Sequence, residues 1–509
     1  MKSQRNLGFL LSYVSIFISS VIGITFTPYM ISSLGKTEYG LYQLLYAAIG
    51  YIAMLDFGLG GTLTRYILKY RSYGDEQRVD SVVTMCVKIY SIIALAVFFL
   101  TVVVSFNLKS FFKGSINAEN AAYARRLFLI MGATTAISLV SHALSGIETA
   151  YEKYAVIKCA YLFKQLSRVG IIILLIKFGW GALAVVTADF IITVLIAAFD
   201  IYYCTAVLKA SLLKGKWESE MFRGLCSFSF FVFLQIVVVQ INNGLDRIIL
   251  GRYSTLEIVA LYGVVMQLYA LFNSMGGVVS SITLPKISNA VFSNVSVNEL
   301  TDCCALYSRY QLHITAPLMG GFMLFGKLFA SLWSPDYNST QVLLITVIIV
   351  LPQLLESVEG TIFNVMKAKN MQATRSLILI GVALLNVILT VLLLKVMPVY
   401  GAAVGTFISF VIGNTILSNI YYHKKVGINI PRYFKRLFKG ILPAWIIAFI
   451  IGIFISLLPF GGWGGLILKC LAYCIIYAVL IWLLGLDGSE KQVLLRFVKK
   501  FKGGHANVE

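Results

Sequence analysis

Residues 227–253 read SFSFFVFLQIVVVQINNGLDRIILGRY. As a helix this stretch is about 40 Å long at 1.5 Å per residue, enough to cross a hydrocarbon layer of about 30 Å. It is apolar for most of its length and then carries Asn242, Asn243, Asp246 and Arg247. At helical spacing Gln235, Asn242 and Asp246 share one face, and Gln240, Asn243 and Arg247 share the adjoining one. Charges on a membrane helix are costly unless they pair, face a cavity or lie near water. The stretch therefore predicts a spanning helix with a polar task.

The rest of the chain has the same character. Of 509 residues, 59% are hydrophobic and 13% charged, and the mean hydropathy is +0.85. A soluble chain carries about 25% charged residues. Long apolar runs with short breaks (LGKTE, KGSINAEN, FGWG, SPDYN) predict an all-α integral membrane protein of fourteen spans, the first at about 7–34 and the last at about 464–486. The run after Lys2 and Arg5 is too long for a signal-peptide core and reads as a retained first span. The formal charge of +20 comes from 42 Lys and Arg against 22 Asp and Glu, and the basic residues cluster in alternate loops. That asymmetry predicts both termini in the cytoplasm, and with no soluble domain to hold a basic groove it gives no support to nucleic-acid binding. The eight Cys show no CxxC or metal spacing and read as small fillers.

The 227–253 stretch also opens a second copy of what precedes it. LGKTEYGLYQLLYA at 34–47 resembles LGRYSTLEIVALYGVVMQLYA at 250–270. Gly146 matches Gly360, and Gly181 matches Gly401, at nearly the same offset. The chain thus divides into an N-lobe at 1–212, a C-lobe at 213–428, and an appended helix pair with a basic tail at 429–509. Six spans per lobe give two pseudo-symmetric halves of equal orientation, the plan of carriers that bind substrate between halves and alternate access by rocking.

Several charges fall inside spans. Lys164 and Arg168 lie roughly 15 and 21 Å into the fifth span, at i,i+4. Arg309 and His313 share a face of the ninth, and Lys88 is the repeat-related partner of the Arg309 region. These predict either a cavity-facing cationic site or ion pairs with neighbours. The acidic candidates are Glu356 and Glu359 in the tenth span, Asp189 and Asp200 in the sixth, and Asp56 in the second. Glu356 and Glu359 are expected to pair with Arg309 or to carry a coupling ion. His142 reads as a packed residue, and Arg65 as an anchor near a span end. No GxxxxGK[ST], HExxH or GxSxG motif is present, and the chain reads as a carrier without catalytic residues or a metal site, not as an enzyme.

The segments DFGLGGTLTRYILKY (56–70), INNGLDRIILGRY (241–253), LYGVVMQLYALFNSMGGVVSSITLPKIS (261–288) and VYGAAVGTFIS (399–409) resemble the bacterial polysaccharide-export flippases of the multidrug/oligosaccharidyl-lipid/polysaccharide (MOP) superfamily. The resemblance runs over essentially the whole chain. It implies a two-lobed fold in the bacterial inner membrane. It also implies translocation of undecaprenyl-diphosphate-linked oligosaccharide for O-antigen, capsule or exopolysaccharide synthesis, driven by an H⁺ or Na⁺ gradient. A polysaccharide polymerase and a chain-length regulator are the partners it implies. The family's Asp-Arg of the seventh span maps to Asp246 and Arg247, and its second-span arginine to Arg65. The residues themselves support one part of this: Lys and Arg can replace the hydration of a diphosphate, Arg by bidentate contact. A multidrug or small-cation exporter of the same superfamily and a non-transporting scaffold of a polysaccharide assembly complex are the competing readings.

Overall fold

The computed structural model of the chain describes residues 2–491 except 294, 370 and 489. The side chains of Gln235, Asn242 and Asn243, and the basic tail, lie outside that description. Among the described residues the structure is helical, without strands.

Two compact units are distinguished, Met1–Val264 with Thr390–Ala402, and Val265–Leu389 with Ala403–Glu509. The first contains α1 (Lys2–Ile52), α2 (Leu59–Ser72), α3 (Glu76–Phe111), α4 (Ala118–Ala150), α5 (Tyr154–Lys177), α6 (Ala182–Tyr202) and α7 (Ser219–Tyr253), and ends within α8 (Leu256–Gly276). The second holds α9 (Val278–Phe292), α10 (Val297–Trp333), α11 (Ser339–Val358), α12 (Gly360–Ala368) and most of α13 (Gln372–Leu394) and α14 (Gly401–Phe410). It continues through α15 (Ser418–Tyr421), α16 (Ile430–Phe438), α17 (Ile441–Ser456) and α18 (Gly462–Leu480).

Eleven helices among the described residues are long and apolar enough to cross a membrane, or twelve if α16 and α17, bent by 44° at their junction, form one span. That total takes Phe17–Ser72 as one piece and leaves out the 35-residue α7, so it does not establish fourteen. Within the first piece the helix is interrupted at Gly35, whose φ of 73° is a left-handed value that glycine adopts freely. The LGKTE break of the sequence falls there.

Local chemistry fixes the helix ends. Ser296 and Glu299 form a capping box at the start of α10. Asn338 accepts from the Thr340 and Gln341 amides and caps α11. The start of α6 is capped from another helix: the Glu38 carboxylate accepts from the Ala182 amide at 2.7 Å, where the helix dipole favours an anion. Gly181 makes room for it, since a Cβ there would sit 2.3 Å from Glu38 Oε2. One anchor of the internal repeat thus has a packing reason.

Two apolar cores are described in the second unit. One gathers Ile287, Cys304, Ile362 and Tyr433 from α9, α10, α12 and α16. The other gathers Phe325, Ala444, Tyr473 and Tyr477 from α10, α17 and α18. Short α16 is amphipathic: Tyr433 and Leu437 are buried, while Arg432 and Lys435 are exposed.

Candidate functional site

The segment after Gly35 presents Tyr39, Tyr42, Gln43 and Tyr46 at helical spacings of three and four, so they line one face of α1. In the first unit, α5, α6 and α7 bring charges to that face. Arg168 of α5 makes a two-pronged pair with Asp189 of α6, Nε to Oδ1 at 2.6 Å and Nη2 to Oδ2 at 3.2 Å. Its Nη2 also donates to the Tyr42 hydroxyl at 3.3 Å. Arg247 of α7 donates from Nη1 to Gln43 Oε1 at 3.2 Å, and Gln43 Nε2 in turn donates to the Tyr39 hydroxyl at 2.8 Å. Both guanidinium groups lie within electrostatic reach of Tyr39. The Tyr42 and Tyr46 rings stack with centroids 5.9 Å apart, and Tyr46 is 54% exposed.

This cluster is under-satisfied on the donor side. Arg247 Nε is buried with no acceptor among the described residues, and Arg168 Nη1 has none either. A guanidinium has five N–H donors, so donors remain for an anion with several oxygens. The partly exposed Tyr46 offers an aromatic face beside them.

Other charges singled out in the sequence are placed differently. Lys164 is half-buried and Lys88 exposed, and neither has a hydrogen-bond or ion-pair partner among the described residues. Arg65 is exposed on α2, and Asp246 adjoins Arg247 on α7. Asp56 lies 3.7 Å from His142, whose side chain is half exposed, so His142 is not the packed residue expected of it. His313 lines a groove of about 660 Å³ with Tyr310, Tyr477, Trp482 and Glu490, and neither of its ring nitrogens has a partner among the described residues.

Arg309 corrects the sequence reading. It is 1% exposed, and it pairs not with Glu356 or Glu359 but with Glu490, beyond the last span, at 2.8 and 3.0 Å. Its remaining donors go to the carbonyls of Arg436, Leu437, Lys439 and Gly485. No donor is left for a ligand. Glu356 instead pairs with Arg375 of α13 and accepts from Asn414 at 2.7 Å. Glu359 accepts from Asn419 at 2.8 Å. Sequence length explains the error: 181 positions separate Arg309 from Glu490, and no periodicity links them. The tyrosines of α1 were missed for another reason. YGLYQLLY stands out in the sequence as a repeat anchor, and its spacing also places its polar groups on one face.

A family model described as polysaccharide biosynthesis protein matches residues 7–291. The chain is 23% identical to the uncharacterized membrane protein EpsK of Bacillus subtilis (strain 168), with 98% of each chain covered. It is 23% identical to the probable low-salt glycan biosynthesis flippase Agl15 of Haloferax volcanii, over 82% of this chain and 84% of that one. Among solved structures, lipid II flippase MurJ in an inward closed conformation superposes with a TM-score of 0.74 at 18% identity, covering 97% of this chain and all of that one. An inward-facing multidrug resistance MATE family transporter of the MOP superfamily gives 0.61 at 14% identity, over 81% of this chain and 96% of that one. The fold is the one these transporters share.

Proposed function

The chain belongs to the polysaccharide biosynthesis protein family, whose model spans more than half of it, and from that premise we propose that it is a flippase. Its substrate is undecaprenyl-diphosphate-linked oligosaccharide, carried across the bacterial inner membrane by alternating access for O-antigen, capsule or exopolysaccharide assembly. A gradient of H⁺ or Na⁺ drives it, both termini are cytoplasmic, and a polymerase and a chain-length regulator receive its product. The observation that carries the reading is the cluster on α1, where Arg168 and Arg247 keep unused donors beside a tyrosine face. A diphosphate loses its hydration when it leaves water, and guanidinium forks replace that hydration with directed, charge-assisted bonds. A multidrug or small-cation exporter would be better served by an acidic cavity than by one lined with two arginines.

The test is transfer of a labelled undecaprenyl-diphosphate oligosaccharide between leaflets of proteoliposomes under an imposed H⁺ or Na⁺ gradient. Wild type is expected to transfer it. Arg247→Ala, and Arg168→Ala with Asp189→Asn, are expected to lose about 10- to 100-fold in rate, the loss of one or two charge-assisted bonds. Arg247→Lys should recover only part, because the fork geometry is gone. Unchanged rates in these variants would remove the cluster from substrate binding. Absence of transfer by wild type under both gradients would overturn the flippase reading.

A further inference from the structure

The tenth span is broken where α11 ends and α12 begins, and Glu359 stands at the break. It is 4% exposed. The nearby cation, Arg375, is committed elsewhere, to the Glu356 carboxylate and to the Tyr422 hydroxyl at 2.8 Å. The side-chain hydrogen bond to Glu359 comes from Asn419 Nδ2 at 2.8 Å. That nitrogen also donates to the Thr415 carbonyl at 2.7 Å. The second bond fixes which end of the amide is which, since an amide oxygen cannot face a carbonyl oxygen favourably.

The amide oxygen is then the odd atom. Asn419 is 8% exposed, and its Oδ1 is buried with no donor among the described residues. An unmet buried acceptor is unfavourable. A carboxylate only accepts and cannot supply the missing hydrogen, whereas a carboxylic acid carries one O–H donor. We propose that Glu359 is a proton-binding site whose resident form is the neutral acid, held in an acid–amide pair with Asn419. The amide N–H donates to one carboxyl oxygen, and the carboxyl O–H donates to the amide oxygen.

Two further features suit a site that exchanges its proton. Glu359 lines a cavity of about 30 Å³ together with Leu312, Leu355, Thr415, Phe434 and Phe438. A water needs about 10–15 Å³ of such volume, so one or two fit beside the carboxyl, next to the amphipathic α16. The charged and titratable groups facing Glu359 are Glu356 from α11, Arg375 from α13, Tyr422 beyond α15 and Tyr433 from α16. Loss of the proton places a second anion beside Glu356 and draws on Arg375, the cation that now serves Glu356. The charge state of Glu359 is thereby tied to the packing of α13 and to the break between α11 and α12. Its role as the driving-ion site rests on the flippase reading; proton binding itself does not.

The test has two independent arms. Infrared difference spectra of the purified full-length protein should show a protonated-carboxyl C=O band at neutral pH that vanishes in Glu359→Gln and shifts in Asn419→Leu. Glu359→Gln should also keep the wild-type melting temperature, because its amide N–H donates where the acid O–H did. Absence of the band, or a melting temperature lowered by several degrees in Glu359→Gln, overturns the proposal. In proteoliposomes, Glu359→Gln should transfer glycolipid down its own gradient yet show no acceleration by an imposed pH gradient. Full acceleration in that variant overturns the driving role with the flippase reading intact. A wild type that transfers nothing fails the flippase reading, and the infrared band still decides the proton site.

Discussion

Arg168 in the first unit and Arg309 in the second are both arginines within long apolar helices, and each grips one carboxylate with two nitrogens. The Arg168–Asp189 side chains keep 24% and 25% of their surface exposed. The Arg309–Glu490 side chains keep 1% each. Arg168 has one further protein acceptor, the Tyr42 hydroxyl, whereas Arg309 reaches four backbone carbonyls at the ends of α16 and of the last span. The ion pair is therefore the uninformative part of both sites. Unused donors and partial exposure mark the first as open to a ligand. Complete use of donors marks the second as a clasp that ties the segment after the last span to α10 and α16.

The largest effect separating the two should come from breaking the clasp. Arg309→Ala leaves a buried carboxylate and four carbonyls without their donor, a loss of about 3–5 kcal/mol. It should appear as a collapse in the yield of folded protein and in melting temperature in detergent. Arg309→Met combined with Glu490→Leu should recover only the part of the loss that the stranded carboxylate causes, because the four carbonyls stay without their donor. Asp189→Asn in the open cluster should lower melting only slightly. If Arg309→Ala melts like wild type while Asp189→Asn does not, the assignment of the two roles is reversed.

Acid gives a second, smaller separation. Burial pushes the Glu490 carboxyl up, but hydrogen bonds from Arg309 and from the Asp487 amide outweigh it and hold the group below its usual range. With the folded value below the unfolded one, the stabilisation is complete above the ordinary carboxyl value of about 4.3. It is lost as pH falls through the lower folded value. Wild type should therefore lose melting temperature on acidification from about pH 6 to about pH 3 more steeply than Glu490→Gln, which should begin lower and change less. Equal slopes would mean that Glu490 does not stabilise the clasp as an anion.

This contrast also shows what could be read from the chain alone. Apolar runs and breaks such as LGKTE gave the helical membrane fold, because burial in lipid writes itself locally as length and hydropathy. The Gly181 anchor was legible as a repeat, and its reason, the Glu38 carboxylate at the start of α6, lies 144 positions away. Arg168 with Asp189 was legible as a pair of candidates, since adjacent helices carry them. Arg309 was not, because its partner sits outside every span and a hydropathy reading had no cause to look there. Arg375 lies on α13 and holds Glu356, a pairing across helices that no local pattern in the sequence marks. Tyr39, Tyr42 and Tyr46 were hidden in a chain rich in aromatic residues, where a tyrosine is most often an interface or packing group.

The smallest effect tests whether an ion pair at the surface behaves as either of these. Asp302 on α10 receives Arg432 through two bonds of 2.8 Å and also Arg436. The arginine side chains remain 46% and 42% exposed. Exposed pairs gain little in water, and salt screens what they gain. Asp302→Asn should lower melting temperature least of the variants named, and raising the salt should bring wild type toward the variant. The Arg309–Glu490 pair, walled off from ions, should show no such salt dependence. A salt-sensitive Arg309→Ala difference would place solvent inside the clasp and return Arg309 to the open class with Arg168.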